Sequence, residues 1–209
     1  MSKQKIFKFN FPNIFDEQNF FVNSTNIDAF NGLTKNDSQN IFLYGPKKSG
    51  KTSLGYIWQN NNNAIIYNDY SFKEILTKKN HILIDNFEKL NQENIFHIIN
   101  HCYLNKLKIL IISNIEINNI SFNFDDLSSR IKTFNYFQIK QPDDEMLLNI
   151  LTKLLVEKQF IINTIDIFNY IIRRIDRSYE SVNKTVAKLD VLSLEKKRQL
   201  TIPLIKEII

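Results

Sequence analysis

Gly45, Gly50, Lys51 and Thr52 stand in the spacing G-x-x-x-x-G-K-[ST], directly after the apolar run Ile41-Phe42-Leu43-Tyr44. Two glycines, a cation and a hydroxyl at this spacing are the parts of a phosphate-binding loop. Backbone N–H groups of such a loop wrap the phosphates, and the helix that follows adds the favourable potential of its N-terminus. The loop covers Gly45, Pro46, Lys47, Lys48, Ser49, Gly50, Lys51, Thr52 and Ser53. Lys51 is expected to reach the terminal phosphates, and Thr52 to hold Mg²⁺. With glycine near about 7% of average usage, a chance match in a chain this size is a roughly one-in-a-hundred event. Only four glycines occur here, and two hold the fixed positions. ATP or ADP with Mg²⁺ is the expected cofactor.

The second chemical landmark is His81-Ile82-Leu83-Ile84-Asp85-Asn86, an apolar strand ending in a carboxylate one strand–helix unit after the loop. Asp85 is placed to help hold the Mg²⁺ shell beside Thr52, the Walker B position. Leu107 to Ile112 forms a further buried strand that ends in Ser113-Asn114, polar groups available beside a terminal phosphate.

These groups need a frame. Strands are expected at Phe20–Val22, at the run before the loop, at Ala64–Tyr67, at the Asp85 run, at 107–112 and at 133–140. Helices are expected through Ala29 with Ser24 as N-cap, from the loop to about Asn60, from Ser71 to Lys79, from Gln92 to Asn105 and around Phe124–Ile131. Alternation of this kind argues for a parallel, doubly wound α/β sheet. After Pro142 the pattern is helical throughout: 143–158, 164–174, 178 to about 197, and a last turn after Pro203. The third of these helices carries Tyr179, Val182, Val186 and Leu189 on one face. We expect an extended arm at 1–18, an α/β P-loop domain at 19–141 and a helical lid at 142–209.

The 209 residues, 43% hydrophobic, suffice for a real core and exclude global disorder. One cysteine, Cys102, excludes an internal disulfide framework and fits a reducing compartment. No apolar stretch reads as a leader or a membrane span, so a cytoplasmic protein without membrane contact is expected. The net charge of +5 permits contact with nucleic acid without requiring it. In the arm, Gln4-Lys5-Ile6-Phe7-Lys8-Phe9 alternates polar and apolar side chains. It suits either an extended peptide in a partner's groove or an edge strand on its own domain.

An α/β P-loop domain followed by a helical lid is the plan of the AAA+ ATPases, and within them the chain resembles Hda-type homologues of the bacterial initiator DnaA. The resemblance spans roughly residues 18–209. Phe21-Val22 with Asn26 and Ala29 resembles the segment that opens the DnaA ATPase domain and contacts adenine. Asp126-Leu127-Ser128-Ser129-Arg130-Ile131 resembles the box that carries the arginine finger. Arg177-Ser178 to Asp190 is similar to the last long helix of the lid, and Lys197 to Ile208 is similar to the Hda C-terminus. DnaA continues into a helix-turn-helix domain, so with the chain ending at Ile209 a sequence-specific initiator is not expected.

The resemblance implies partners as well. Hda-type proteins dock on the DNA polymerase III sliding clamp through an N-terminal motif, and Gln4, Phe7 and Phe9 match three of its positions while Lys5 departs from it. It further implies that Arg130 is presented in trans to ATP bound by DnaA, that DNA is reached indirectly through the clamp, and that self-association through AAA+ interfaces is available. Three departures concern hydrolysis: Asn86 in place of an acidic residue, Glu180 where the sensor 2 arginine is usual, and Ser113-Asn114 at the variable sensor 1. An amide orients water but does not accept its proton as a carboxylate does. Arg177 and Lys184 are the candidates to replace the missing arginine. The expectation is a nucleotide-binding regulator with weak turnover of its own; a self-standing helicase loader or remodeller, and a non-hydrolysing interaction module, are the rival readings.

Overall fold

The three most apolar strands take the middle of the sheet. The computed structural model describes residues 17–35, 40–162 and 166–209, so Gln4, Phe7 and Phe9 lie outside the described residues. Strands β1 (Asn40–Tyr44), β2 (Ile65–Tyr67), β3 (Ile82–Ile84), β4 (Ile109–Ser113) and β5 (Asn135–Gln138) form one parallel sheet in the order β2-β3-β4-β1-β5. β3 and β4 are buried at every position, whereas the ends of β5 are exposed. Continuous apolar runs fit strands covered on both faces, and polar ends fit an edge.

Side-chain alternation divides the core in two. Phe42, Ile82, Ile84, Ile109 and Ile111 point to one face, where α4 (Gln92–Asn105) and α5 (Asp125–Ile131) cover them. Ile41, Leu43, Leu83, Leu110 and Ile112 point to the other, under α1 (Ile27–Thr34) and α2 (Lys51–Asn62). The short α3 (Phe72–Ile75) lies between β2 and β3. The expected doubly wound α/β class is the one observed.

Two local expectations fail. Phe20–Val22 is not a strand: Asn26 Nδ2 donates to the Phe21 carbonyl at 2.9 Å, and its Oδ1 accepts from the N–H of the following Asn23 at 2.9 Å, which holds the chain in a turn. The helix that follows starts at Ile27, with Asn26 rather than Ser24 at its N-cap. The run from Ser71 to Lys79 is also not one helix. A reciprocal Asn68–Ser71 capping box opens a 3₁₀ turn, and α3 then lasts four residues, of which only Ile75 is buried.

Beyond the sheet lie α6 (Asp144–Glu157), α7 (Asp166–Ile172), α8 (Tyr179–Lys196) and α9 (Ile202–Ile205), which bury Leu147, Leu151, Leu155, Ile171, Val186 and Leu200 in a core of their own. All four residues of the expected α8 face, Tyr179, Val182, Val186 and Leu189, are buried.

Asp143 ties this helical unit to the segment before α1. It caps α6 by accepting from Met146 N–H at 2.8 Å. Its carboxylate also accepts from Asn23 Nδ2 at 2.9 Å and from Ser24 Oγ at 3.0 Å. Nearby, Tyr179 Oη of α8 donates to the Lys140 carbonyl at 3.2 Å. The Met146 N–H bond leads the causes that hold the Asp143 carboxyl below its ordinary value, with Ser24 and Asn23 adding to it. A depressed carboxylate stabilises above its unfolded pKa, and that contribution disappears as pH falls through the folded value. Asp143→Ala is therefore expected to cost about 1 kcal/mol from the lost cap in urea denaturation at neutral pH. The gap from wild type should close on acidification below the ordinary aspartate range.

Candidate functional site

The loop after β1 is shaped by its glycines. A Cβ on Gly45 would stand 2.5 Å from the Ile139 carbonyl oxygen, so only glycine lets the loop leave the sheet there. Gly50 is left-handed at φ 88° and caps α2 without a side chain, which leaves the first N–H groups of α2 for a ligand. Those N–H groups and the helix dipole favour an anion.

Lys51 is 5% exposed beneath this turn. Its Nζ donates to the Gly45 carbonyl at 2.8 Å, the Pro46 carbonyl at 2.5 Å and Ser49 Oγ at 3.4 Å. Burial pushes its pKa down to about 8, against the opposing fields of Asp85 and Glu88. One residue on, Thr52 Oγ1 donates to Asp85 Oδ2 at 2.7 Å, which joins the start of α2 to the end of β3. A hydroxyl and a carboxylate oxygen side by side form a hard-oxygen pair that fits Mg²⁺, an ion that otherwise keeps water and phosphate oxygens.

Beside the loop lies a cleft of about 840 Å³, large enough for a nucleotide. The loop contributes Lys48, Ser49, Gly50 and Ser53 to its wall, and the N-terminal segment contributes Phe21 and Asn26. Val22 is half-buried and does not line it, whereas Phe20 does, stacked on Phe30 with centroids 5.8 Å apart. The opposite wall is helical: Met146 and Ile150 from α6, and Asn183 from α8. Pro46 is half-buried and Lys47 is exposed, and neither lines the cleft.

The residues expected to govern hydrolysis divide differently from their sequence order. Asn86 is exposed and left-handed at φ 54°, and its backbone N–H donates to Asp85 Oδ1 at 2.7 Å. Glu88, which no motif in the sequence singles out, turns inward on the 3₁₀ turn Phe87–Lys89. Its Oε1 accepts from Asn114 N–H at 3.2 Å and from Asn114 Nδ2 at 2.5 Å. Burial pushes this carboxyl up, but bonds from its own backbone N–H, from Asn114 and from Ser113 outweigh burial and leave it below the ordinary glutamate value. Ser113 is fully buried, and its Oγ accepts from Ile115 N–H at 2.9 Å. The available sequence signal was a second acidic residue shortly after Asp85.

Both candidates for the missing cation on α8 are engaged at the surface. Lys184 pairs with Glu180 at 2.8 Å, and Arg177 pairs with Asp144. The Lys184 hydrogen bond lowers the Glu180 carboxyl, with smaller contributions from the fields of Lys47 and Lys48 in the loop. Asn183, a neutral amide, is the α8 residue that reaches the cleft.

Arg130 is exposed in the last turn of α5, with its guanidinium 5.4 Å from the centroid of Phe96. Phe96 meets Phe124 edge to face at 5.5 Å, so the cation rests on an aromatic pair. Among the described residues it pairs with neither Asp125 nor Asp126.

Residues 144–209 match the family model described as the Hda lid domain. The fold is similar to domain III of the Thermotoga maritima replication initiation protein DnaA, with a TM-score of 0.75 at 21% identity, covering 93% of this chain and 97% of that one. The chain thus carries an Hda-type lid at 144–209 and shares the fold of DnaA domain III. It is also similar to AMPPCP-bound DnaA from Aquifex aeolicus, with a TM-score of 0.68 at 18% identity over 85% of this chain. It spans 65% of that initiator, less than two thirds of its length. An uncharacterized protein of Haemophilus influenzae is 26% identical over 90% of this chain and 91% of its own. In this fold the Phe20–Asn26 segment, the loop and the helices α6 and α8 line one cleft. No helix among the described residues is long and apolar enough to cross a membrane.

Asn26, 3% exposed, holds one wall of that cleft through two hydrogen bonds. Asn26→Ala leaves the Phe21 carbonyl and the Asn23 N–H without it, so urea denaturation should show a loss of about 1–3 kcal/mol.

Proposed function

We propose that this protein is a DnaA-related, nucleotide-binding regulator of replication initiation that presents Arg130 in trans to ATP bound by DnaA. ATP or ADP occupies the cleft, with its phosphates on the loop N–H groups and Lys51, and Thr52 and Asp85 hold Mg²⁺. The bound nucleotide supplies the charge that the loop is built to meet, and contact with α6 and α8 couples it to the angle of the lid. The reading draws support from the Hda-type lid at residues 144–209 and from the AMPPCP carried by the similar Aquifex DnaA.

The observation that carries the trans role is Arg130 itself. It is exposed at a helix end, rests on Phe96, and has no carboxylate partner among the described residues. A guanidinium in that state meets developing phosphate charge on another chain without first breaking an ion pair. The arm at 1–18 holds the protein on the DNA polymerase III sliding clamp through Gln4, Phe7 and Phe9, and so brings it to DNA indirectly; AAA+ surfaces provide for self-association.

Arginine fingers are worth about 10³–10⁵ in rate. Arg130→Ala should therefore abolish the stimulation of DnaA-bound ATP hydrolysis in an assay with DNA-loaded clamp, while leaving clamp binding intact. An unchanged rate would sink the trans role. Lys51→Ala should remove ADP and ATP binding as followed by the fluorescence of Trp58, which is buried on α2 behind the loop. Replacing Gln4, Phe7 and Phe9 with Ala should lose the clamp in a pull-down; retained binding would return the arm to an edge-strand role.

A further inference from the structure

We propose that Glu88, held by Asn114, is the carboxylate that takes the proton of the attacking water when this protein hydrolyses its own bound ATP, and that Asn86 serves the backbone instead. The proposal rests on the nucleotide-binding reading of the cleft. Its first ground is the turn after β3. Asn86 sits at φ 54° with an exposed side chain, in the left-handed region that asparagine tolerates better than most residues. That reversal directs Phe87 into the core at 0% exposure and brings Glu88 back toward the sheet.

The second ground is an unsatisfied atom. Glu88 Oε1 is held twice by Asn114, at 3.2 and 2.5 Å, whereas Oε2 is buried without a hydrogen-bond partner among the described residues. A buried carboxylate oxygen with no donor is costly unless something the site is built to bind supplies one. A water beside the terminal phosphate is such a donor. The chain keeps Glu88 near the loop, because Asp85, three residues before it, accepts from Thr52 Oγ1 at 2.7 Å. Asn114 directly follows β4, next to β3 in the sheet, so both residues stand at the carboxyl edge where ligands of open α/β sheets bind.

The step balances. The water oxygen bonds to the γ-phosphorus, and the bond from that phosphorus to the β,γ-bridging oxygen breaks, its electron pair leaving on ADP. One water proton passes to Glu88 Oε2. The Asn114 bonds to Oε1 are among the causes that hold this carboxyl below the ordinary glutamate value, which makes it a weak base.

The test compares wild type with Glu88→Gln in three measurements on the full chain: ATP affinity from Trp58 fluorescence, single-turnover hydrolysis with protein in excess over labelled ATP, and the thermal midpoint without nucleotide. The amide still accepts from Asn114, so the midpoint and the affinity should match wild type. Hydrolysis should fall by about 10²-fold or more, and ATP should be recovered intact from the desalted variant. Glu88→Asp keeps the charge but withdraws it by one methylene, and should lose the rate in the same way if the Gln variant does not fold. Hydrolysis at the wild-type rate in Glu88→Gln overturns the proposal, as does a tenfold gain in Asn86→Asp, which would put the base at 86. Wild type that binds ATP without hydrolysing it overturns the proposal and leaves the nucleotide reading standing. Wild type that binds no ATP overturns both.

Discussion

The molecule is built around one buried cation. Lys51 is 5% exposed and is held by two loop carbonyls and a hydroxyl, while Asp85 and Glu88 act on it only through space. Burial without a directly bonded counter-charge is what lowers its pKa to about 8. An ammonium in that condition favours an anion above it, and the uncapped start of α2 points N–H groups at the same place. Both features require Gly45 against Ile139 and a left-handed Gly50, so the strand, the turn and the helix are constrained together.

From that centre the constraint spreads through short polar ties rather than through the apolar core. Thr52–Asp85 fixes α2 against β3, and Glu88–Asn114 fixes β3's turn against the end of β4. Asp143 joins the start of α6 to Asn23 and Ser24, in the segment whose neighbours Phe20 and Phe21 line the cleft. A ligand seated between Phe21, Gly50 and Asn183 would therefore touch every rigid unit that meets there. The helical unit has its own core, including Leu151 and Val186, so a change of angle at Asp143 leaves its packing intact.

Much of this was legible in the residues. Local pattern decides strand and helix type, and α4 falls at Gln92–Asn105, the span its periodicity predicts. It also decides the buried face of α8. Phe20–Val22 has the aromatic, β-branched composition of a strand, but the Asn26 side chain takes the Phe21 carbonyl and holds the chain in a turn. Ser71–Lys79 misled because a capping signal opens a helix there that has too few buried residues to continue it.

By itself, the sequence determined the phosphate loop, the Asp85 landmark, the alternation of strands and helices, and the helical character after Pro142. Each depends on neighbours a few residues apart. Tertiary structure alone decided that Glu88 rather than Asn86 turns inward, that Asn183 reaches the cleft while Arg177 and Lys184 are paired outside it, and that Arg130 rests on Phe96. Asn23 and Asp143 meet across 120 positions of chain. Contacts of that range follow from strand order and helix packing, which no local spacing encodes.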